Sequence, residues 1–277
     1  MHFLLELFQN ADDNLYKPSA TPKMKITYRN GTLRFDTNEI GFRKTDVEAI
    51  CSIGRSSKVE SQADQRRIGE KGIGFKSVFR VSSSVFIGSG HYSFMFTDKE
   101  PLGRLTPVWA RFPEKPLAGF TSIFLRLHPT LDFNILVQEL NALDGRLLMF
   151  LQNLKEVEIE VFTDHQTSNV TLRRHDIMSA YIGLPCRHLE PDASSPYILF
   201  RYLVSNLPPE PKRKGRTTSE IVLAFPSIES NPTSSSRRPR RLPILVTHKV
   251  YAFLPIRDYG FKVSLYQPES RLIIRVC

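Results

Sequence analysis

Cysteine is scarce in this chain. Of its 277 residues three are cysteines, Cys51, Cys186 and Cys277, and their wide separation matches neither a zinc ligand set nor a disulfide framework. An intracellular location is expected from that usage. Long apolar runs are missing too. No stretch approaches the roughly 18 apolar residues that a spanning helix requires, and the first residues read as a polar-striped helix, not as a signal peptide. A membrane is therefore not expected among the partners. Acidic residues are outnumbered 28 to 38 by basic ones, leaving a net charge of +10. Much of the excess sits in two clusters, Lys212-Arg213-Lys214-Gly215-Arg216 and Arg237-Arg238-Pro239-Arg240-Arg241, both set among Pro and Ser. Such clusters serve as nuclear-import signals, as contacts to nucleic-acid backbones, or simply as solvated loops. No aromatic interleaving accompanies them, and nucleic acid stays an unsupported partner. The Gly-Lys-Ser/Thr ending of a P-loop and the loops of protein kinases are also absent. What remains is 41% apolar residues in a length that suits one large or two modest domains.

Two stretches stand out. In the first, Glu6, Gln9, Asn10 and Asp13 recur at i, i+3, i+4 and i+7, which puts four polar groups on one stripe of a helix. Phe3, Leu4, Leu7, Phe8 and Ala11 form the opposite, core-facing stripe. Spacing alone fits a solvated amphipathic helix equally well. In the second stretch, Gly69, Gly72 and Gly74 fall within six residues and lead into the apolar run Phe75-Lys76-Ser77-Val78-Phe79. Backbone N–H groups at such a helix start can surround a phosphate, although a lone glycine-rich loop is also an ordinary tight turn.

The sequence Glu6-x-x-Gln9-Asn10-Ala11-x-Asp13, then Asn38-Glu39-Ile40-Gly41-Phe42, then Gly69-x-x-Gly72-Ile73-Gly74-Phe75 resembles the three nucleotide-binding boxes of the Bergerat-fold (GHKL) ATPases. Their wording is similar to the sacsin and NO VEIN branch. The resemblance covers residues 1–130 strongly and thins to residue 245. It implies an α+β fold, with helices on one face of a mixed, mostly antiparallel sheet over residues 1–165. A partial second α/β domain over residues 166–277 follows, with basic Pro/Ser-rich loops at 207–218 and 228–243. It also implies ATP and Mg²⁺ as cofactors, ATP hydrolysis as the reaction, and client proteins or partner domains driven by a chaperone-like switch. The alternative is a nucleotide-sensing or interaction module without turnover.

Site roles follow from the resemblance. Asn10 would hold the magnesium, Glu6 would orient and deprotonate the attacking water, and Asp13 would lie towards the ribose and adenine. Gly72, Gly74 and the amides through Phe75 would hold the phosphates, and Gly69, Ile73, Gly41 and Phe42 belong to the same nucleotide-binding set. Most members read adenine with an Asp ahead of Gly-x-Gly. Here Asn38 falls near that position, and a short insertion would hand the role to Asp36; both stay open. Thr121 matches a strand threonine that meets adenine. Residues 54–67, nearly devoid of apolar side chains, match the ATP lid, with Arg55, Ser56, Ser57 and Lys58 near one hinge; a solvated loop has the same composition. Lys76 is expected to be a surface or hinge charge. A helix that usually precedes the first box is not seen before Met1, which puts nucleotide-driven dimer closure in doubt. Only Gln267 and Arg271 match a second-domain side chain sent to the γ-phosphate.

Local patterns predict a hairpin over residues 23–35 turned by Asn30-Gly31, and a helix over residues 45–52 capped by Thr45 with Val47, Ile50 and Cys51 inward. A helix is expected from Gly74, then strands at 83–87, 92–97, 108–112 and 121–127, with Trp109 in the core. One or two helices over residues 132–151 and strands at 157–161, 197–204 and 221–225 complete the reading.

Overall fold

The computed structural model describes residues 2–51, 74–100, 102–149, 151–164, 166–174, 177–181, 184–189, 197–208, 217–230, 240–243, 248–252, 254–261 and 264–266. They form two units, Met1–Leu143 with Leu151–Leu172, and Asp144–Phe150 with Arg173–Cys277. The first opens on α1 (His2–Asp12), in which Phe3, Leu4, Leu7, Phe8 and Ala11 are all buried as their spacing requires. Burying a large apolar side chain of this kind contributes about 1.5–3 kcal/mol, so this stripe anchors the helix.

Next come β1 (Lys23–Arg29) and β2 (Thr32–Thr37), joined by the expected two-residue turn. Asn30 at φ 45° and Gly31 at φ 73° supply the left-handed pair that such a turn demands. Then follow α2 (Lys44–Cys51), a 3-10 turn Phe75–Arg80, β3 (Ser82–Ser89), β4 (Tyr92–Thr97), β5 (Val108–Trp109), β6 (Thr121–Leu127), α3 (Phe133–Asn141), β7 (Glu156–Phe162) and β8 (Thr167–Arg173). The strands make one sheet in the order β5-β4-β3-β6-β2-β1-β7-β8. β1 and β7 run parallel; the other pairings of printed register in this sheet are antiparallel. The architecture is α+β, a mixed sheet with few helices.

Register fixes what each face carries. Ile26, Phe35, Ile123 and Ile87 share a cross-strand row, as do Met24, Thr37, Thr121 and Ser89 in part, and Val157 and Ile159 extend the rows across β7. This front face receives the helices. Phe75 and Phe79 of the 3-10 turn pack on Phe96, and Phe133 of α3 packs on Tyr28. The back face carries Lys25, Arg34, Asp36 and Ser122, with a small aromatic cluster of Phe86, Phe112 and Phe124.

Several expectations change. Trp109 is not core: it lies 72% exposed on the short edge strand β5, stacked against Tyr92 at 6.4 Å. With only Val108 and Trp109 in that strand, no strand among the described residues lies outside it to cover the indole. Thr45 does not cap α2; it lies in the first turn, and Asp46 reaches back to accept the Arg43 N–H at 2.8 Å. The inner face of α2 is only half-buried. The run after Gly74 is a six-residue 3-10 turn and not an α-helix. Leu131, Ile135, Leu136, Leu140 and Leu143 recur at helical spacing, yet Ile135 of α3 is 53% exposed and the helix packs through Leu136 and Leu140. Asp132, which accepts from Asn134 and Ile135 N–H groups, is its cap.

The first unit runs past residue 165, because β8 extends its sheet beyond β7. In the second unit the described residues form β9 (Ile177–Tyr181), β10 (Leu184–Leu189), β11 (Tyr197–Val204), β12 (Ser219–Ser230), β13 (Arg240–Pro243), β14 (His248–Ala252), β15 (Leu254–Phe261) and β16 (Ser264–Tyr266). Their sheet runs β15-β14-β16-β12-β11-β10-β9, with β13 on β12. The only helical element among the described residues of this unit is the 3-10 turn Gly145–Leu148, so the α/β expectation for it is not met there. The expected loop at 228–243 is also revised. Residues 227–230 pair with residues 240–243 as a hairpin, so Arg240 and Arg241 sit on a strand.

Candidate functional site

The polar stripe of α1 meets the end of the glycine-rich run. A Cβ built on Gly74 would clash with Glu6 Oε2 and lie 3.0 Å from its Cδ, so residue 74 admits no side chain while Glu6 keeps this position. Glu6 is half-buried. One turn along, Asn10 is half-buried as well, and no hydrogen bond to its side chain occurs among the described residues. Asp13, a further turn on, is 8% exposed. At about 1.5 Å per residue the helical rise from Glu6 to Asp13 is about 10 Å.

The far end of α1 is tied to the loop after β2. Ile40 N–H donates to the Leu15 carbonyl at 2.9 Å. Gly41 follows at φ +92°, a conformation that favours glycine, and it delivers the Phe42 N–H to Ser89 Oγ at 2.8 Å. Ser89 Oγ lies 2.6 Å from Thr121 Oγ1. Both hydroxyls are buried, at 2% and 3% exposure. Glu39, 7% exposed, faces the Tyr16 phenol electrostatically; burial first, then Glu39 and Asp12, push that phenol up, and its O–H is held by the Ala11 carbonyl at 2.6 Å.

Of the expected site residues, Glu6 is thus brought to Gly74, next to Phe75, and Phe42, next to Gly41, is linked to Thr121 through Ser89. Phe75 contributes its ring to the core at 8% exposure. Lys58, Gly69, Gly72 and Ile73 lie outside the described residues, as do the lid residues 54–67, Gln267 and Arg271.

The two candidates for reading adenine are engaged elsewhere. Asn38 accepts the Lys23 N–H at 2.8 Å and donates to the Thr21 carbonyl at 2.8 Å, which spends both ends of its amide on backbone. Asp36 belongs to the back face, where Arg34 grips both its oxygens and Ser122 donates at 2.5 Å. Its parity could have been read in advance, since Leu33 and Phe35 alternate with it.

Ser89 is the residue that sequence reading missed. Nothing in the run Gly88-Ser89-Gly90 marks it. Asp12 was missed also. Its carboxylate accepts the N–H groups of Gln152, Asn153 and Leu154 at 2.7–2.8 Å, fastening the end of α1 to the approach of β7. Burial pushes the Asp12 carboxyl up, against the opposing pull of those amides.

Lys76 was expected to be a surface or hinge charge, and the structure gives it partners. Its Nζ donates to the Arg104 carbonyl at 2.5 Å and lies 4.2 Å from the Phe96 ring centroid. Burial pushes its amine down to about 8. Among the described residues no three His, Cys, Asp or Glu side chains cluster as a metal site, and no helix is long and apolar enough to cross a membrane.

Against known proteins, the chain is 28% identical over 284 aligned positions to Protein NO VEIN of Arabidopsis thaliana. The match covers 94% of this chain and 10% of that relative, so the chain spans about a tenth of the length of the curated protein it matches. No protein-family model matches it.

Proposed function

We propose that the first unit is a Bergerat-type domain that binds and hydrolyses Mg-ATP and uses the nucleotide state to reposition its neighbours, in the manner of a chaperone-like switch. The observation that carries this reading is the meeting of the Glu6 carboxylate with Gly74, one turn from an Asn10 amide that no described residue engages. Glu6 lies where a side chain on residue 74 would go, which is why glycine is needed there, and this contact brings the carboxylate beside the end of the glycine-rich run. A second hydrogen-bonded group joins Phe42 N–H, Ser89 and Thr121, and Thr121 is the member that the resemblance sends to the base.

The donor set fits the implied groups. A bound magnesium prefers oxygen ligands, keeps several waters and neutralises phosphate charge, so one amide oxygen from Asn10 is enough protein for it. Glu6 would orient a water and take its proton, help worth about 10²–10⁴-fold. Gly74 would bring its backbone to the phosphates, and Thr121 would meet the base. Asn38 and Asp36 have no part in this.

Turnover by purified chain tests the assignment. Glu6→Ala is expected to bind ATP as the wild type does while phosphate release falls at least about 100-fold, the lower range of general-base help. Undiminished release from Glu6→Ala would remove the catalytic reading. ATP binding without release by the wild type would leave a nucleotide-sensing module in its place.

A further inference from the structure

We infer that the β5 edge of the first unit is a docking site for an extended, acidic segment of a partner protein, which joins the sheet as a further strand and packs on Trp109. This docking is independent of the nucleotide reading.

Backbone parity comes first. β5 pairs with β4 so that Trp109 lies opposite Phe94 and Val108 opposite Met95. One position further, Ala110 N–H donates to the Ser93 carbonyl at 3.2 Å, and Ser93 Oγ donates to the Ala110 carbonyl at 2.6 Å. Opposed residues of an antiparallel pair alternate between exchanging backbone hydrogen bonds and not doing so. Val108 and Ala110 therefore turn their backbone groups towards β4, and Trp109 turns its N–H and C=O the other way, to the edge. No strand among the described residues lies beyond β5 to take them. An outward N–H and C=O on a sheet edge is the template on which extended segments pair. The site is short, because β5 has two residues and Pro107 before it has no N–H; the interface is correspondingly small and transient.

Side chains decide what pairs there. Val108 is 53% exposed, and Leu102, in the turn that leads into β5, is 63% exposed, so with Trp109 three large apolar side chains gather at this edge. The indole is already held, edge-on to Phe94 at 6.3 Å and stacked on Tyr92, so a partner need not order it. Such fixed tryptophans with arginines close by are the usual anchors of binding surfaces. Across residues 99–113 the exposed charges are Lys99, Arg104 and Arg111 against Glu100. Arg104 has Asp98 at 3.9 Å, whereas no described residue forms an ion pair with Arg111. Carboxylates complement this rim, and a basic segment is repelled by it. Register then specifies the added strand: apolar residues opposite Val108 and Trp109, and a carboxylate two positions on, opposite Arg111.

Trp109 is the chain's one tryptophan, so its fluorescence reports this edge directly. The full chain is titrated with the synthetic peptides Glu-Thr-Val-Val-Thr-Glu and Lys-Thr-Val-Val-Thr-Lys. The Glu peptide is expected to shift the emission to the blue and to bind about tenfold tighter than the Lys peptide, as an attractive contact replaces a repulsive one. The Glu peptide N-methylated at every amide keeps its side chains and loses the edge hydrogen bonds, and should bind at least about tenfold more weakly. Arg111→Glu should bring the Glu and Lys peptides to within about threefold or reverse their order. Equal binding of the two peptides by wild type, undiminished binding after N-methylation, or no blue shift with the Glu peptide overturns the inference. A blue shift that grows with protein concentration alone, with dimers in sedimentation, gives the edge to a second copy and overturns it too. Should Arg111→Glu not fold, the comparison of the three peptides on wild type decides.

Discussion

A methyl group on residue 74 would occupy the place of the Glu6 carboxylate. Gly74→Ala should therefore displace Glu6 and cut ATP turnover by about tenfold or more, of the order expected when a general base loses its geometry. In a Glu6→Ala background the same substitution meets no carboxylate, so the added loss should nearly vanish; additive losses in that cycle would deny the contact. Lys76 gives a second residue-scale prediction. Between about 8 and 10.5 the unfolded chain still holds the proton that the folded amine gives up, so this group's contribution to stability rises with pH across that window. Thermal unfolding at pH 7, 8, 9 and 10 should show wild type gaining on Lys76→Met above pH 8; a constant difference would contradict the burial of Nζ against Phe96. At this scale the sequence was only partly legible. Helical spacing put Glu6 and Asn10 on one polar stripe, and only the resemblance assigned them roles. Ser89 was not legible, because its meaning comes from Phe42 and Thr121, 47 and 32 residues away. Trp109 was misread because exposure depends on where a strand ends in the sheet, and hydrophobicity does not report that.

Among the elements, α1 is the one the first unit is arranged around, and Asp12 is its fastening. Removing that carboxylate leaves three backbone amides of residues 152–154 short of an acceptor. Each such loss costs about 1–3 kcal/mol, so Asp12→Ala should destabilise the fold by about 3 kcal/mol or more, read by chemical denaturation. Asp12→Asn keeps one acceptor oxygen and should fall between. A midpoint unchanged in Asp12→Ala would show that the clamp carries little. Elements were more legible than their partners. The stripe of Phe3, Leu4, Leu7, Phe8 and Ala11 specified α1 because a 3.6-residue period admits no other reading, and Asn30-Gly31 specified its hairpin because few residues accept positive φ. Strand β13 was missed for the opposite reason. Its Arg and Pro content argues for loop, and pairing with residues 227–230 outweighs that local preference.

For the molecule as a whole, the sequence pointed to two units but not to their junction. Thr167–Arg173 has weak alternation, Val170 being 38% exposed, yet it forms the outer strand beside β7. A fragment ending at residue 165 would leave the β7 edge bare and should melt below, and aggregate more than, one ending at residue 173. Equal melting would remove β8 from the first unit's stability. The central claim is tested most directly by a crystal structure of the chain grown with magnesium and a non-hydrolysable ATP analogue. The account predicts phosphate oxygens between the Asn10 side chain and the backbone of Gly74, with the purine against Thr121. Nucleotide bound at any other surface, or a filled space between Asn10 and Gly74 that admits none, would contradict it.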